Sequence, residues 1–399
     1  MQFGYFLCLI CFFSILNGKV QGDDPFNSML SLRFKCFSEE QKDCNEEFTD
    51  VYKDLSRSVR NDTKADTYFY LFTRRNWDKP ELLHKCGGKL PSSTNFDPSK
   101  TFIIFLPGFL SGVCDNAFPR EYKNEFLKKG DYNVLLPDYS WAHEFDYSSA
   151  LANIQLIAKQ IVTVLQNIQD QTGITYDKFY VIGHSFGAQL AARIGAIFKV
   201  HRITGLDPAR PGFPESLPSS ERLDPSDAEI VDVWHCNAGA CLPNFGLDYD
   251  AGHVNFYVNG GSIQTPCYTS ALQSLLKGDL KIGLGSLLIP TVCFHIRCLE
   301  YYKVSINPEH CQFVGVQCNN YEDFVNGKCK SCGRSGQKCA IMGFDFEAFS
   351  PEQALRRRKK FKKYYVETDD ICPYCKTDAV DLDGFKDLYE SSLGSNNED

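Results

Sequence analysis

Methionine and tryptophan are scarce, with three of each in 399 residues. Positive charge is in deficit: 42 Lys and Arg face 50 Asp and Glu, a formal charge of −8. That balance argues against general nucleic-acid binding, which needs a basic surface to neutralise phosphates. Long apolar runs are missing too. Beyond the N-terminus no stretch reaches 18 apolar residues without a charge, so the mature chain is expected to be soluble. No repeat recurs at a solenoid period. No Lys or Arg precedes Lys19, so the positively charged head usual in a signal peptide is absent. No feature specifies an oligomeric state.

Aromatic residues are plentiful, with 31 Phe and 20 Tyr. Such a chain buries a core easily, which excludes disorder over the whole length. The 18 Cys point to an oxidising compartment. The N-terminus agrees. Residues 3–16 form an apolar run that is short for a membrane span of about 20 residues and fits the apolar region of a secretory signal. Val20-Gln21-Gly22 offers a small-residue cleavage site. We therefore expect a signal peptide over 1–22, a main domain over 23–345 and an extension over 346–399. Asn61-Asp62-Thr63 is the single glycosylation acceptor sequence, with Asn61 the modified residue. Removing Cys8 and Cys11 leaves an even number of cysteines. Two Cys-x-x-Cys pairs occur, Cys329–Cys332 and Cys372–Cys375. They are too far apart for a zinc ribbon. Cys372-Pro373-Tyr374-Cys375 looks like a redox site but lies near an acidic C-terminus, so structural disulfides are expected.

Short apolar runs punctuate the chain: Thr101–Leu106, Asn133–Leu136, Phe179–Ile182, Ile203–Leu206, Val231–Trp234 and Val254–Val258. Continuous runs of this kind suit strands covered on both faces. Between them, Leu151, Ile154, Ile157, Ala158, Ile161 and Leu165 recur at three and four, which predicts a helix over 150–168. Ala188–Phe198 is a second helical candidate. Alternating strands and helices predict an α/β fold with a mostly parallel sheet.

Gly183-His184-Ser185-Phe186-Gly187 ends one of these strands and opens a small-residue helix. In that context G-x-S-x-G is a nucleophile elbow. The turn needs Gly183 and Gly187 to lack a Cβ, and it sets Ser185 beside a helix N-terminus that favours developing negative charge. A serine nucleophile needs a base, and the base needs an orienting carboxylate; in this fold they follow in the order acid, then His. Asp207 closes a clean strand; Asp224, Asp227 and Asp232 are rivals. The histidine is expected on a later loop, from among His235, His253, His295 and His310. His235 and His253 lie on or beside apolar strands and read as buried structural residues. His310 lies in a turn between cysteines. His295 follows Cys293 by two residues, where a disulfide fixes its loop, and ranks first. The oxyanion hole is expected from the backbone N–H of Phe186 and of Phe109, with Gly108 allowing close approach.

These residues resemble the secreted pancreatic-lipase-like family of α/β hydrolases over roughly residues 66–342. The likeness rests on Asp66…Phe72-Thr73-Arg74, Pro107-Gly108-Phe109, Asn133…Pro137-Asp138-Tyr139, Gly183-His184-Ser185-Phe186-Gly187-Ala188, Gly205-Leu206-Asp207-Pro208-Ala209, Arg222-Leu223-Asp224-Pro225-Ser226-Asp227, Gly252-His253-Val254-Asn255-Phe256-Tyr257, Asn259-Gly260-Gly261 and Cys293-Phe294-His295. The resemblance implies an α/β-hydrolase fold with Ser185 as nucleophile, Asp207 as orienting acid and His295 as base. Ester hydrolysis through an acyl-enzyme follows. The family usually has His where this chain has Pro107.

Further expectations come from the same likeness. Cys267 and Cys293 match the pair that closes the family's lid, and they enclose the largely apolar Tyr268–Val292. That lid length is like the triacylglycerol lipases. The loop between His235 and His253 carries a close Cys236–Cys241 pair, which resembles some phospholipases. Other implied pairs are Cys298–Cys311, Cys318–Cys329, Cys332–Cys339, Cys36–Cys44, Cys86–Cys114 and Cys372–Cys375. No cofactor is required. Some members bind calcium near a motif that Arg222 (through its carbonyl), Asp224 and Asp227 match, so calcium stands as an option beside a solvated acidic turn. Only a short segment follows Met342, so neither the family's C-terminal β-sandwich nor a colipase-like partner is expected. The basic run Arg356–Lys363 reads as a solvated helix face ahead of a final strand at Lys363–Val366, or as a patch for anionic lipid, glycans or a processing protease. The expected function is a secreted lipid-ester hydrolase working at a lipid–water interface on glycerolipid, triacylglycerol first. Phospholipase A1 or galactolipase is the alternative within enzymes. A catalytically silent lipid-binding or storage protein is the alternative outside them.

Overall fold

The computed structural model describes residues 67–83, 89–113, 117–143, 147–239, 244–265, 267, 285–308, 311–349, 361–376 and 380–394. Eleven strands form one sheet: β1 Tyr68–Phe72, β2 Glu81–Leu83, β3 Phe102–Leu106, β4 Asn133–Asp138, β5 Phe179–His184, β6 Val200–Leu206, β7 Ala228–His235, β8 Val254–Val258, β9 Phe313–Gln317, β10 Cys339–Met342 and β11 Lys362–Val366. Their order is β10-β9-β11-β8-β7-β6-β5-β3-β4-β1-β2. All neighbours from β4 to β11 pair in parallel, and antiparallel strands finish both edges. The described helices are α1 Ala117–Lys129, α2 Tyr147–Thr172, α3 Phe186–Gly195, α4 Gly285–Ile306, α5 Tyr321–Val325, α6 Phe346–Phe349 and α7 Lys386–Gly394.

The central strands feed two cores. Phe102, Ile104 and Leu106 of β3 point to one face, where Ile154, Ile157, Ile161 and Leu165 of α2 and Leu190 and Ile194 of α3 cover them. Ile103 and Phe105 point to the other face, against Tyr122 and Phe126 of α1 and Tyr301 and Tyr302 of α4. Both faces are dry, so the strands read as unbroken apolar runs rather than alternating ones. Long, apolar α2 is a core helix by this packing. The arrangement is the expected parallel α/β sheet clad by helices. The predicted helices and strands are present, generally longer at their ends. β11 realises the predicted final strand and inserts between β8 and β9, so the sheet draws on residues beyond 346.

The disulfides depart from expectation. Cys267–Cys293, Cys318–Cys329 and Cys332–Cys339 are present. Cys236 is bonded to Cys298 rather than Cys241, and Cys311 is bonded to Cys375, so neither Cys298–Cys311 nor Cys372–Cys375 forms. Neither Cys-x-x-Cys closes on itself. The expected pairs were close in sequence, whereas these bonds span 62 and 64 residues because the sheet brings the end of β7 and the C-terminal segment against α4. Cys36, Cys44, Cys86, Cys114 and Cys241 lie outside the described residues, as do Asn61, His310, the run at 350–360 and residues 268–284 of the lid.

A buried polar network crosses the middle of the sheet. Asp232 Oδ1 accepts from Arg202 Nε at 2.8 Å and from Thr204 Oγ1 at 2.9 Å. The Thr204 hydroxyl meets Tyr180, which meets Tyr302 of α4 at 2.6 Å. Arg202 also donates to the carbonyls of Phe344 and Gly343. The network therefore joins β5, β6 and β7 to α4 and to the turn after β10. This uses Asp232 structurally and removes it as a rival orienting acid. Asp232→Ala leaves the Arg202 charge buried without its counter-charge. We predict a loss of about 3–5 kcal/mol, measured as a lowered midpoint in urea unfolding, with a smaller loss for Asp232→Asn.

Candidate active site

β5 ends at His184 and α3 begins at Phe186, so Ser185 occupies the bend between them. Its φ of 54° is one that side chains rarely adopt. The sterics of the elbow are severe. A Cβ on Gly187 would lie 2.1 Å from the Leu106 carbonyl oxygen, and one on Gly183 would lie 2.3 Å from the Gly187 oxygen. Both glycines are thus required, and the first turn of α3 packs directly on the loop after β3. A Cβ on Gly108 of that loop would lie 3.2 Å from the Ser185 Cβ. Phe109 and Phe186, the expected oxyanion donors, therefore stand on two adjoining backbone segments. Their rings both pack on Tyr147. Tyr139 donates to the Pro107 carbonyl at 2.5 Å, and Asp138 Oδ2 accepts from the Val113 N–H at 3.1 Å. The end of β4 thereby grips the loop that carries Phe109 at both its ends.

Asp207 follows β6 and is fully buried, with φ at 43°. Its Oδ1 accepts from the N–H groups of Cys236 at 2.8 Å and Asn237 at 3.0 Å. Its Oδ2 meets His295 Nδ1 at 2.6 Å. Gly246 packs on this carboxylate, where a Cβ would lie 2.3 Å from Oδ1. His295 lies in α4, not on a loop as expected, two residues after the disulfide-bonded Cys293. The helical reading follows from the burial of Phe294, Cys298, Tyr301, Tyr302 and Ser305, which recur at three and four.

His184 packs its ring on His295 with centroids 4.7 Å apart, and its Nε2–H donates to the His295 carbonyl at 3.2 Å. Burial, reinforced by the neighbouring His295, holds the His184 imidazole well below its ordinary pKa and so neutral. Sequence reasoning passed over His184; its place inside the elbow motif was the available signal. Ser185 and the Asp207–His295 pair thus share one cluster. Among the described residues no hydrogen bond joins the Ser185 hydroxyl to His295. Of the other candidates, His235 is buried against Tyr257, and His253 Nδ1 accepts from the Val231 N–H at 3.1 Å. Both are structural, as expected.

The Lipase family profile matches residues 27–374. The chain belongs to that family. Human pancreatic lipase-related protein 2 is 31% identical over 290 residues, covering 71% of this chain and 60% of the relative. Horse pancreatic triacylglycerol lipase is 30% identical over 376 residues, covering 91% and 75%. Human inactive pancreatic lipase-related protein 1 is 28% identical over 318 residues, covering 78% and 65%. The chain spans about three-fifths of the first of these relatives. Membership in the Lipase family accords with the α/β-hydrolase architecture.

The third predicted group is assembled as a turn. Asp224 Oδ1 accepts from the Ser226 N–H and hydroxyl, while Arg222 Nη1 lies 3.6 Å from Asp224 Oδ2. Asp227 Oδ2 accepts from the Asp224 N–H at 2.8 Å. These carboxylates are committed to capping, and among the described residues no group of three or more His, Cys, Asp or Glu is clustered to hold a metal. A calcium ion on Asp224, Asp227 and the Arg222 carbonyl would have to share or displace these contacts, and no catalytic step is routed through one. Burial pushes the Asp227 carboxyl up to about 8. A raised folded pKa means that the folded state holds a proton which the unfolded chain sheds near 4. Stability therefore falls as pH rises from about 4 to 8. We predict that Asp227→Asn, which keeps the bond from the Asp224 N–H, flattens this dependence and raises Tm at pH 8. Calcium should leave the wild-type Tm unchanged; a rise of several degrees would show that the turn opens to take the ion.

Proposed function

We propose that this chain is a secreted lipid-ester hydrolase that works through Ser185, His295 and Asp207. The observation that carries the reading is the 2.6 Å contact between His295 Nδ1 and a buried carboxylate whose other oxygen takes two backbone N–H groups. An aspartate so held accepts from Nδ1–H, which leaves Nε2 as the basic nitrogen. In the proposed reaction Nε2 removes the Ser185 proton as the hydroxyl oxygen attacks the ester carbonyl. The contact from Nε2 to Ser185 closes with substrate in place, as catalytic hydrogen bonds often do. The N–H groups of Phe109 and Phe186 take the negative charge of the tetrahedral oxygen. The imidazolium then gives its proton to the departing alcohol, leaving Ser185 acylated. Water, deprotonated by the same Nε2, releases the fatty acid.

Triacylglycerol is the proposed first substrate, supported by the length and apolar content of Tyr268–Val292 and by likeness to a pancreatic triacylglycerol lipase. The phospholipase or galactolipase alternative drew on a Cys236–Cys241 pair, and Cys236 is bonded elsewhere. A silent lipid-binding protein stays as the rival class, because a relative named inactive is nearly as similar. The five disulfides whose partners both lie among the described residues support an oxidising compartment, and secretion with removal of 1–22 is proposed on that basis.

Fatty-acid release from triolein and from phosphatidylcholine, each with and without calcium, tests this directly. We expect triolein to be cleaved faster, with calcium making no difference. Ser185→Ala should lose roughly 10⁶-fold in kcat while remaining folded. Asp207→Asn should lose about 10⁴-fold because the imidazole tautomer is no longer held. A fully active Ser185→Ala would defeat the reading.

A further inference from the structure

The base sits on a helix that begins inside a disulfide loop. α4 starts at Gly285, between Cys267 and Cys293, and runs through His295 to Ile306. Sliding such a helix by one residue carries a side chain about 1.5 Å and turns it by about 100°. Either movement would break the 2.6 Å contact with Asp207. The pair therefore needs an anchor that sets both the height and the rotation of α4.

Two disulfides straddle the base. Cys293, two residues before it, is bonded to Cys267; Cys298, three residues after it, is bonded to Cys236. The second bond reaches the acid, because the Cys236 N–H donates to Asp207 Oδ1 at 2.8 Å. A short ring closes. It runs from His295 to the Asp207 carboxylate, on to the Cys236 amide, across the sulfurs to Cys298, and back one helical turn to His295. Cys236 and Cys298 are fully buried beside Trp234 and Tyr302, so the bond is shielded from solvent reductants.

We propose that Cys236–Cys298 is a positioning disulfide that holds His295 in register with Asp207. The inference rests on the proposed roles of Ser185, Asp207 and His295. The bond touches neither substrate nor reacting atoms. Without it, the end of β7 and α4 are joined by hydrogen bonds and packing alone, with no covalent limit on how far Asp207 and His295 can drift apart.

Two experiments on the full-length chain test this. Peptide mapping under non-reducing conditions should recover Cys236 linked to Cys298. Cys236–Cys241 or Cys298–Cys311 instead would overturn the proposal. Next, the Cys236→Ala/Cys298→Ala pair, and a volume-filling Cys236→Val/Cys298→Ala pair in case the first does not fold, are compared with a distant control, Cys332→Ala/Cys339→Ala. On a soluble p-nitrophenyl ester the first two should lose at least tenfold in kcat with KM within twofold, and the control should keep kcat within twofold. Full kcat in a folded Cys236/Cys298 variant, or an equal loss in the control, would refute the positioning role. Wild-type protein inactive on every ester would instead defeat the enzymatic reading, while the mapped bond would stand.

Discussion

Burying the Asp207 carboxylate is the constraint from which the rest of the site follows. A charge taken out of water is costly unless every lone pair finds a donor. Here one oxygen takes two backbone N–H groups from the end of β7 and the other takes an imidazole N–H. Those donors fix where β7 must end, where α4 must cross and how its helix must be turned. They also dictate the neighbours. Only glycine fits at 246, against the carboxylate. Asn237, having given its N–H to Asp207, uses its side-chain oxygen to hold the Phe245 N–H, and Phe245 sets its ring edge on His295. One buried charge thus orders a strand end, a loop and a helix.

How much of this was legible in the sequence depended on range. The strands could be read because both faces of the sheet are dry, which turns β3, β5 and β6 into unbroken apolar runs. The elbow could be read because its sterics are local: Gly183 and Gly187 are dictated by atoms within the same turn and the adjoining loop. Asp207 could be read because it closes a strand. His295 stands out in the sequence, but the sequence places it on a loop, since its immediate neighbours Cys293 and Phe294 say little about the helix that carries them. The periodicity that reveals α4 runs on to Ser305. Disulfide partners were the least legible. Cys236 meets Cys298 only because two distant segments converge on Asp207, and no spacing rule encodes that convergence. The place of β11 between β8 and β9 is hidden for the same reason.

Stiffness is distributed unevenly around the site, and the distribution has a chemical logic. Asp207 and His295 are tied by their hydrogen bond, by disulfides on either side of His295 and by packing of Trp234 on Tyr302. Neutral His184 adds a further tie, joining the elbow to the α4 backbone without bringing a second positive charge beside the imidazole that the proposed mechanism makes cationic. A protonated His184 would repel that imidazolium and oppose the proton transfer. Its burial is therefore an electrostatic feature of the site as much as a packing one.

Whole-chain similarity does not separate an active enzyme from a silent relative here, since a triacylglycerol lipase and a protein named inactive match at 30% and 28% identity. Discrimination has to come from groups that act only in the transition state. The loop after β3 is where that question is sharpest. Pro107 contributes no N–H and fixes its own φ, so the residue before Gly108 is stiff and has no side-chain donor. The Tyr139 hydroxyl holds the Pro107 carbonyl, Asp138 holds the Val113 N–H, and Gly108 lies against Ser185. The loop's rigidity comes from a ring closure and a phenol. The proposed pair of N–H donors, Phe109 and Phe186, needs no more than that, because such donors act by being already aimed when charge appears on the carbonyl oxygen.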